Sequence, residues 1–253
     1  MSMNTNNQER TAEYLQKFSR EKTLKMLVDS DTPVVIDVGA NSGNTITEFL
    51  SWWPGAEVHG FEPQAECWPE LDELAASSAQ IHVNKFALGD SDNDNKTFYT
   101  HDLTSGQSGF HRVNMDSRDS LNLDKLRREA QGSVQAYSET LNHERQVPIR
   151  RMDSYMSNAG IGRVDLLKID TQGYEPEVLA GAGDRLADIR VVITELMFYD
   201  FYERSLSFSD LEKHLLPAGF RLYDISHISK NPLNGRTDWV DVIYFNIRFD
   251  KES

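Results

Sequence analysis

Apolar residues change their period along this chain, and the changes predict its elements. In residues 9–29, Tyr14, Leu15, Phe18, Leu24, Met26, Leu27 and Val28 recur at helical spacing among Lys, Arg and Glu, predicting an amphipathic leading helix. Pro33 then opens Val34-Val35-Ile36-Asp37-Val38, a continuous β-branched run of the kind carried by a strand buried on both faces. The run ends in Gly39-Ala40-Asn41-Ser42-Gly43-Asn44. Residues 45–53 predict a helix closed by Pro54-Gly55, and residues 56–61 a second strand ending at Glu62-Pro63, which completes a βαβ unit. The alternation continues with a helix at 64–77, strands at 81–84 and 164–169, a helix at 175–182 and a strand at 190–194. Strands alternating with helices in this way predict an α/β fold on a parallel sheet. A helix at 209–216, capped by Ser207 or Ser209, stops at Pro217-Ala218-Gly219. Strands at 220–223 and 239–247 follow, and with only a loop between them they can pair antiparallel.

Residues 89–146 break this rhythm. They are rich in Asp, Asn, Ser and Gln and too long for a simple connection, with a short strand expected at 97–100 and a charged helix at 121–130. The two readings are a cap over a site and a solvated surface excursion. Residues 1–253 therefore read as one domain, with 1–30 a helical extension and 89–146 an inserted segment.

Composition narrows the partners. The chain has 253 residues, 40 acidic and 26 basic, for a formal charge of −14. An acidic surface disfavours nucleic-acid backbones and anionic membranes and leaves a small molecule as the expected partner. Cys67 is the single cysteine, so no internal disulfide and no CxxC metal motif can form, and a reducing compartment fits. The polar start has no apolar segment behind it and no run is long enough to span a bilayer, so the expected location is the cytoplasm.

Chemistry concentrates at the carboxyl edge of the predicted sheet, where open α/β sheets bind ligands. Gly39 and Gly43 allow a tight turn and close backbone approach, and the helix headed by Asn44 offers unpaired N–H groups to an anion. Asn41 stands where a dinucleotide fingerprint needs its middle glycine, which favours a smaller anion such as an amino-acid carboxylate over a pyrophosphate. Asp37, on the pocket floor, suits an ammonium group. Glu62, 19 residues beyond Gly43 and followed by Pro63, has the spacing of an acid that accepts ribose hydroxyls. Anion, ammonium and ribose sites together describe S-adenosylmethionine.

The second signal is Asp165-Leu166-Leu167-Lys168-Ile169-Asp170-Thr171-Gln172-Gly173-Tyr174-Glu175. Asp170 ends the fourth parallel strand, and a carboxylate enclosed there has its pKa raised toward that of a general base. Glu175 opens the next helix, where an acid also simply complements the dipole. Glu195 ends the fifth strand, so Asp170 and Glu195 form a base and its orienter, or two oxygen ligands for magnesium. His101, His111 and His143 are alternative bases or surface histidines, and no His or Cys spacing supports zinc, so no metal site is assigned. Phe198, Tyr199, Phe201 and Tyr202 are an aromatic wall or core.

VVIDVGANSGN, GFEP, the ALGD turn at 87–90, RMDSY at 151–155 and above all DLLKIDTQGYEPEVLAGA resemble the FkbM family of S-adenosylmethionine-dependent methyltransferases. The resemblance runs from about Val34 to Glu195. It implies a doubly wound, Rossmann-like seven-stranded sheet with an antiparallel last strand, and O-methylation of a hydroxyl on a sugar or other secondary metabolite. It gives cofactor roles to Asp37, Gly39, Asn41, Gly43 and Glu62, places Ala87 near the adenine and Asp170 beside the methyl, and matches Ser105 and Ser108 to a loop that closes over the cofactor. Thr171-Gln172 and Tyr174 replace smaller residues usual in the family, which implies a different substrate specificity. Rival readings are a magnesium-assisted O-methyltransferase, a nicotinamide-dependent oxidoreductase, which Asn41 argues against, and a non-catalytic protein retaining the cofactor fold.

Overall fold

A computed structural model describes residues 7–117, 129–232 and 234–250. The leading segment is two helices, α1 (Asn7–Lys17) and α2 (Arg20–Val28), where one was expected. Ser19 breaks the run in extended backbone, its hydroxyl accepting from Lys22 N to cap α2. Then follow β1 (Val34–Val38), α3 (Asn44–Trp52), β2 (Glu57–Phe61), α4 (Trp68–Ser77), β3 (Ile81–Asn84), β4 (Ala87–Leu88) and β5 (Asn93–Thr100). The rest of the chain forms α5 (Val134–Ser138), β6 (His143–Arg150), α6 (Met152–Asn158), β7 (Val164–Ile169), α7 (Glu175–Ala182), β8 (Ile189–Met197), α8 (Phe208–Leu215), β9 (Phe220–Lys230) and β10 (Thr237–Asn246).

The main sheet has seven strands in the order β3-β2-β1-β7-β8-β10-β9. β1, β2, β3, β7 and β8 run parallel, while β10 lies antiparallel between β8 and β9. The doubly wound sheet expected from the family resemblance is thus present. Alternate residues explain why the central strands read as unbroken apolar runs. Ile36, Leu167 and Val192 join one core with α7, whereas Val35, Leu166 and Val191 join another with α2 and α3. Because the chain leaves β1 for β2 on one side and returns as β7 on the other, the order switches between β1 and β7, and a crevice opens at their carboxyl ends.

Residues 89–146 supply most of a second, three-stranded sheet, β4-β6-β5. The expected strand at 97–100 is the second half of β5, and β6 pairs with it antiparallel. β6 has no strand signature, since only Val147 and Ile149 of HERQVPIR are buried and Pro148 sits where the register with β5 shifts. Most of the charged helix expected at 121–130 lies outside the described residues.

Candidate active site

The crevice between β1 and β7 is a cavity of about 260 Å³. Gly39, Asn41, Asn44, Glu62, Pro63, Ala87, Ser108 and Asp170 line it, so eight of the residues singled out by sequence converge here. Gly39 has φ +79, and a Cβ added to it would lie 1.9 Å from the Asp170 carbonyl oxygen, so the tips of β1 and β7 approach only because this residue is glycine. Gly43 does not face the cavity. It seats the turn against Leu71 and Leu74 of α4.

Glu62 is buried, and each of its carboxylate oxygens accepts one backbone N–H, from Asn41 at 2.9 Å and from Gln64 at 2.8 Å. Burial pushes its pKa up against the pull of these donors. The Asn41 side chain, on a residue at φ +47, exchanges hydrogen bonds with the Ser105 hydroxyl at 2.9 and 3.1 Å. Gln64 Nε2 donates to Ser105 O at 3.2 Å. These bonds hold the turn at Ser105–Gln107 over the glycine loop, so part of the inserted segment lies against the cavity. The Ser108 hydroxyl, buried in the wall, has no hydrogen-bond partner among the described residues.

Asp37, expected to meet an ammonium group, faces the Lys168 ammonium of the chain itself. It is fully buried, does not line the cavity, and meets Lys168 Nζ at 3.1 Å in an ion pair rather than an aligned hydrogen bond. Lys168 also donates to Gly39 O at 3.1 Å and lies 3.7 Å from Asp170 Oδ2. Burial works against its charge, but Asp37 and Asp170 outweigh that and hold its pKa above the usual lysine value. Lys168 stands within the DLLKID motif, where its local sequence gives it no role. Its local signal is the alternation Lys168-Ile169-Asp170, which puts both charges on one face, and the sheet then sets it in register opposite Asp37.

The three proposed catalytic acids have three different surroundings. Asp170 is not enclosed: its side chain is 41% exposed, and Oδ1 accepts from Gln172 Nε2 at 2.7 Å. Glu175 is buried away from the cavity and shapes the β7–α7 loop, accepting from Thr171 N at 2.9 Å, Thr171 Oγ1 at 3.1 Å and Gly173 N at 3.2 Å. Glu195 lines an adjoining cavity of about 250 Å³ together with Arg20, Lys168, Asp170, Trp239 and Asp241. Burial pushes the Glu195 pKa well above the carboxylate range, with the charges of Asp170, Glu175 and Asp241 adding to it. Arg20, Trp239 and Asp241 carried no motif.

His101, His111 and His143 line neither cavity. His101 Nδ1 accepts from Asn142 N, His111 sits against Tyr174 and Arg204, and His143 pairs with Asp102. Of the expected aromatic wall, Tyr199, Phe201 and Tyr202 form a core with Val113 and Tyr137, and Phe198 packs on Phe208. Only the Tyr202 hydroxyl serves the site, 2.9 Å from Gln107 O and 2.8 Å from Gln172 Oε1.

A family model described as the methyltransferase FkbM domain matches residues 37–222, from the carboxyl end of β1 into β9, and so includes the cavity. The chain belongs to the FkbM methyltransferases. It is accordingly an S-adenosylmethionine-dependent methyltransferase. The 2-O-methyltransferase NoeI of Sinorhizobium fredii is 27% identical over 188 residues, 71% of this methyltransferase and 70% of NoeI. The AMB antimetabolite synthetase AmbE of Pseudomonas aeruginosa is 29% identical over 189 residues, 64% of this chain but 8% of AmbE. Among solved structures, the Burkholderia thailandensis 1,6-didemethyltoxoflavin-N1-methyltransferase is 11% identical with a TM-score of 0.46, over 97% of this chain and 92% of that one.

Proposed function

We propose that the cavity between β1 and β7 binds S-adenosylmethionine and that the methyl group passes to a hydroxyl oxygen of a small molecule, a sugar or other secondary metabolite, seated in the adjoining cavity. The observation that carries this reading is the position of Asp170, which lines both cavities. The residues present suit the donor. Each Glu62 oxygen keeps a lone pair for a ribose hydroxyl after its backbone bond, and the unpartnered Ser108 hydroxyl awaits a polar group. Asn44 and Thr45 bring the start of α3 to the wall, where a carboxylate is stabilised. Phe61, Ala87, Leu88, Phe98 and Phe110 give an apolar slot for the adenine.

When bound, the donor supplies a methyl group on a sulfonium centre. The substrate hydroxyl oxygen must approach that carbon in line, and its proton passes to Asp170, whose carboxylate Gln172 and Lys168 hold in place. Positioning in near-attack geometry supplies about 7–11 kcal/mol of such a barrier, and a base about 10²–10⁴-fold more. Glu195 and Asp241 offer acceptors to further hydroxyls and Trp239 a face for a sugar ring, which fits the O-methylation named for NoeI. Glu195 orients the acceptor, and Glu175 acts only by holding the loop that carries Asp170.

Transfer of labelled methyl groups to a panel of glycosides and phenols identifies the acceptor. On that acceptor Asp170→Asn binds S-adenosylmethionine with unchanged affinity by calorimetry and loses roughly 10²–10⁴-fold in kcat. Turnover at the wild-type rate would remove Asp170 as the base, and chelator-sensitive turnover would favour a magnesium-assisted reaction.

A further inference from the structure

One cluster of potential ligands lies apart from both cavities, at the edge of the main sheet. Glu57 and His59 stand two residues apart on β2 and therefore share a face, and His82 of β3 is the register partner of His59. The two imidazole rings stack with centroids 4.6 Å apart. Glu57 Oε1 lies 3.3 Å from His59 Nε2 and 3.2 Å from His82 Nε2, and the three ligand atoms are mutually within 4.8 Å. The His59 side chain is 5% exposed, and its Nε2 has no hydrogen-bond partner among the described residues although it faces the carboxylate. The other ring nitrogen is 2.8 Å from the Tyr155 hydroxyl.

We propose that Glu57, His59 and His82 bind one divalent transition-metal ion, zinc by preference, that clips the edge strand β3 to β2. A tetrahedral ion with nitrogen and oxygen ligands at about 2.0–2.2 Å sets neighbouring ligand atoms about 3.3 Å apart, which matches both Glu57 separations. Two imidazoles and one carboxylate suit zinc, whereas calcium and magnesium require oxygen sets. Tyr155 provides the outer support that metal-bound histidines use: its hydroxyl is itself fixed by Asn84 Nδ2 at 3.1 Å, and accepting the His59 Nδ1 proton turns the Nε2 lone pair toward the ion. Glu57 and His82, about half exposed, give the ion a path in and leave its fourth position to water. The two rings lie 17° from parallel, so His82, whose side chain is exposed, must rotate out of the stack to turn its in-plane lone pair to the shared ion. None of the three residues lines either cavity, so the role assigned is structural and separate from methyl transfer.

The test uses the full chain stripped by a chelator and titrated with zinc chloride alone, read by calorimetry and thermal melting. Wild type takes one ion at this site and its Tm rises. His82→Ala and Glu57→Gln alter exposed side chains, melt as wild type without zinc, and bind it at least about tenfold more weakly with the Tm rise lost. Tyr155→Phe weakens binding by roughly 10–100-fold. Cobalt gives the strong visible bands of a tetrahedral ion with wild type and not with His82→Ala. Absence of zinc uptake by wild type, or equal affinity in wild type, His82→Ala and Glu57→Gln, overturns the proposal.

Discussion

Lys168 is the residue on which the site's electrostatics turn. It is the cation beside the fully buried Asp37, and it also braces the Gly39 carbonyl and faces Asp170. Removing one partner of a buried ion pair leaves an uncompensated charge that costs about 3–5 kcal/mol, whereas removing both costs far less. Lys168→Met is therefore expected to lower the unfolding free energy by roughly that amount, and the double variant with Asp37→Asn to recover much of it. Urea unfolding of the four proteins in this cycle checks it, and additive losses would show that the two side chains are not paired. The pair was half legible in sequence. Asp37 and Lys168 stand out as charges inside apolar strands, but the strand order that makes them neighbours is a long-range fact.

Among elements, periodicity located β3, β7 and α7 residue for residue, because a strand covered on both faces, such as β7, and a helix opening on Glu-Pro carry strong local signals, and β3 is a short apolar run between turn residues. Ser207 proved to be the cap of α8, its N–H and hydroxyl both donating to Asp210 Oδ2. β6 was not legible, since a strand with one exposed face and an internal proline resembles a loop. The turn at Ser105–Gln107 is likewise defined by what it touches: Tyr202 fastens it to the β7–α7 loop through Gln107 O and Gln172 Oε1, and Gln172 in turn holds Asp170. Loss of such a hydrogen bond costs about 1 kcal/mol, a several-fold effect. Tyr202→Phe is thus expected to weaken S-adenosylmethionine binding several-fold by calorimetry while the fold persists. Unchanged affinity with a lowered Tm would confine Tyr202 to packing.

At the scale of the whole molecule, the surplus of 14 negative charges is partly gathered inward. Glu62 and Glu175 are buried and Glu195 is half-buried near the carboxyl edge of the sheet, and desolvation raises the pKa of each. A carboxyl group whose pKa is higher folded than unfolded binds its proton more tightly in the folded state. Its stabilising contribution is complete below the unfolded value of about 4.3 and is lost as pH rises through the folded value. Glu195→Gln removes that loss, so its Tm advantage over wild type is expected to grow from pH 5 to pH 8. An advantage that is constant or shrinks across this range would show that Glu195 is not held proton-loving by the fold.

The sequence by itself determined the alternation of strands and helices, the glycine turn after β1, the acids at the strand tips and membership of a methyltransferase family. These are local: each depends on residues a few positions apart and on burial that recurs with a fixed period. Tertiary structure alone decided which acids meet which partners. It sealed Asp37 under Lys168, left Asp170 open between two cavities, set Glu195 beside other carboxylates, and folded part of residues 89–146 against the glycine loop. It also brought His82 beside His59 from 23 residues away, where no metal spacing exists in the chain. The physical reason is the same throughout: charge interactions and ligation depend on distance in space, and sheet order and register set that distance.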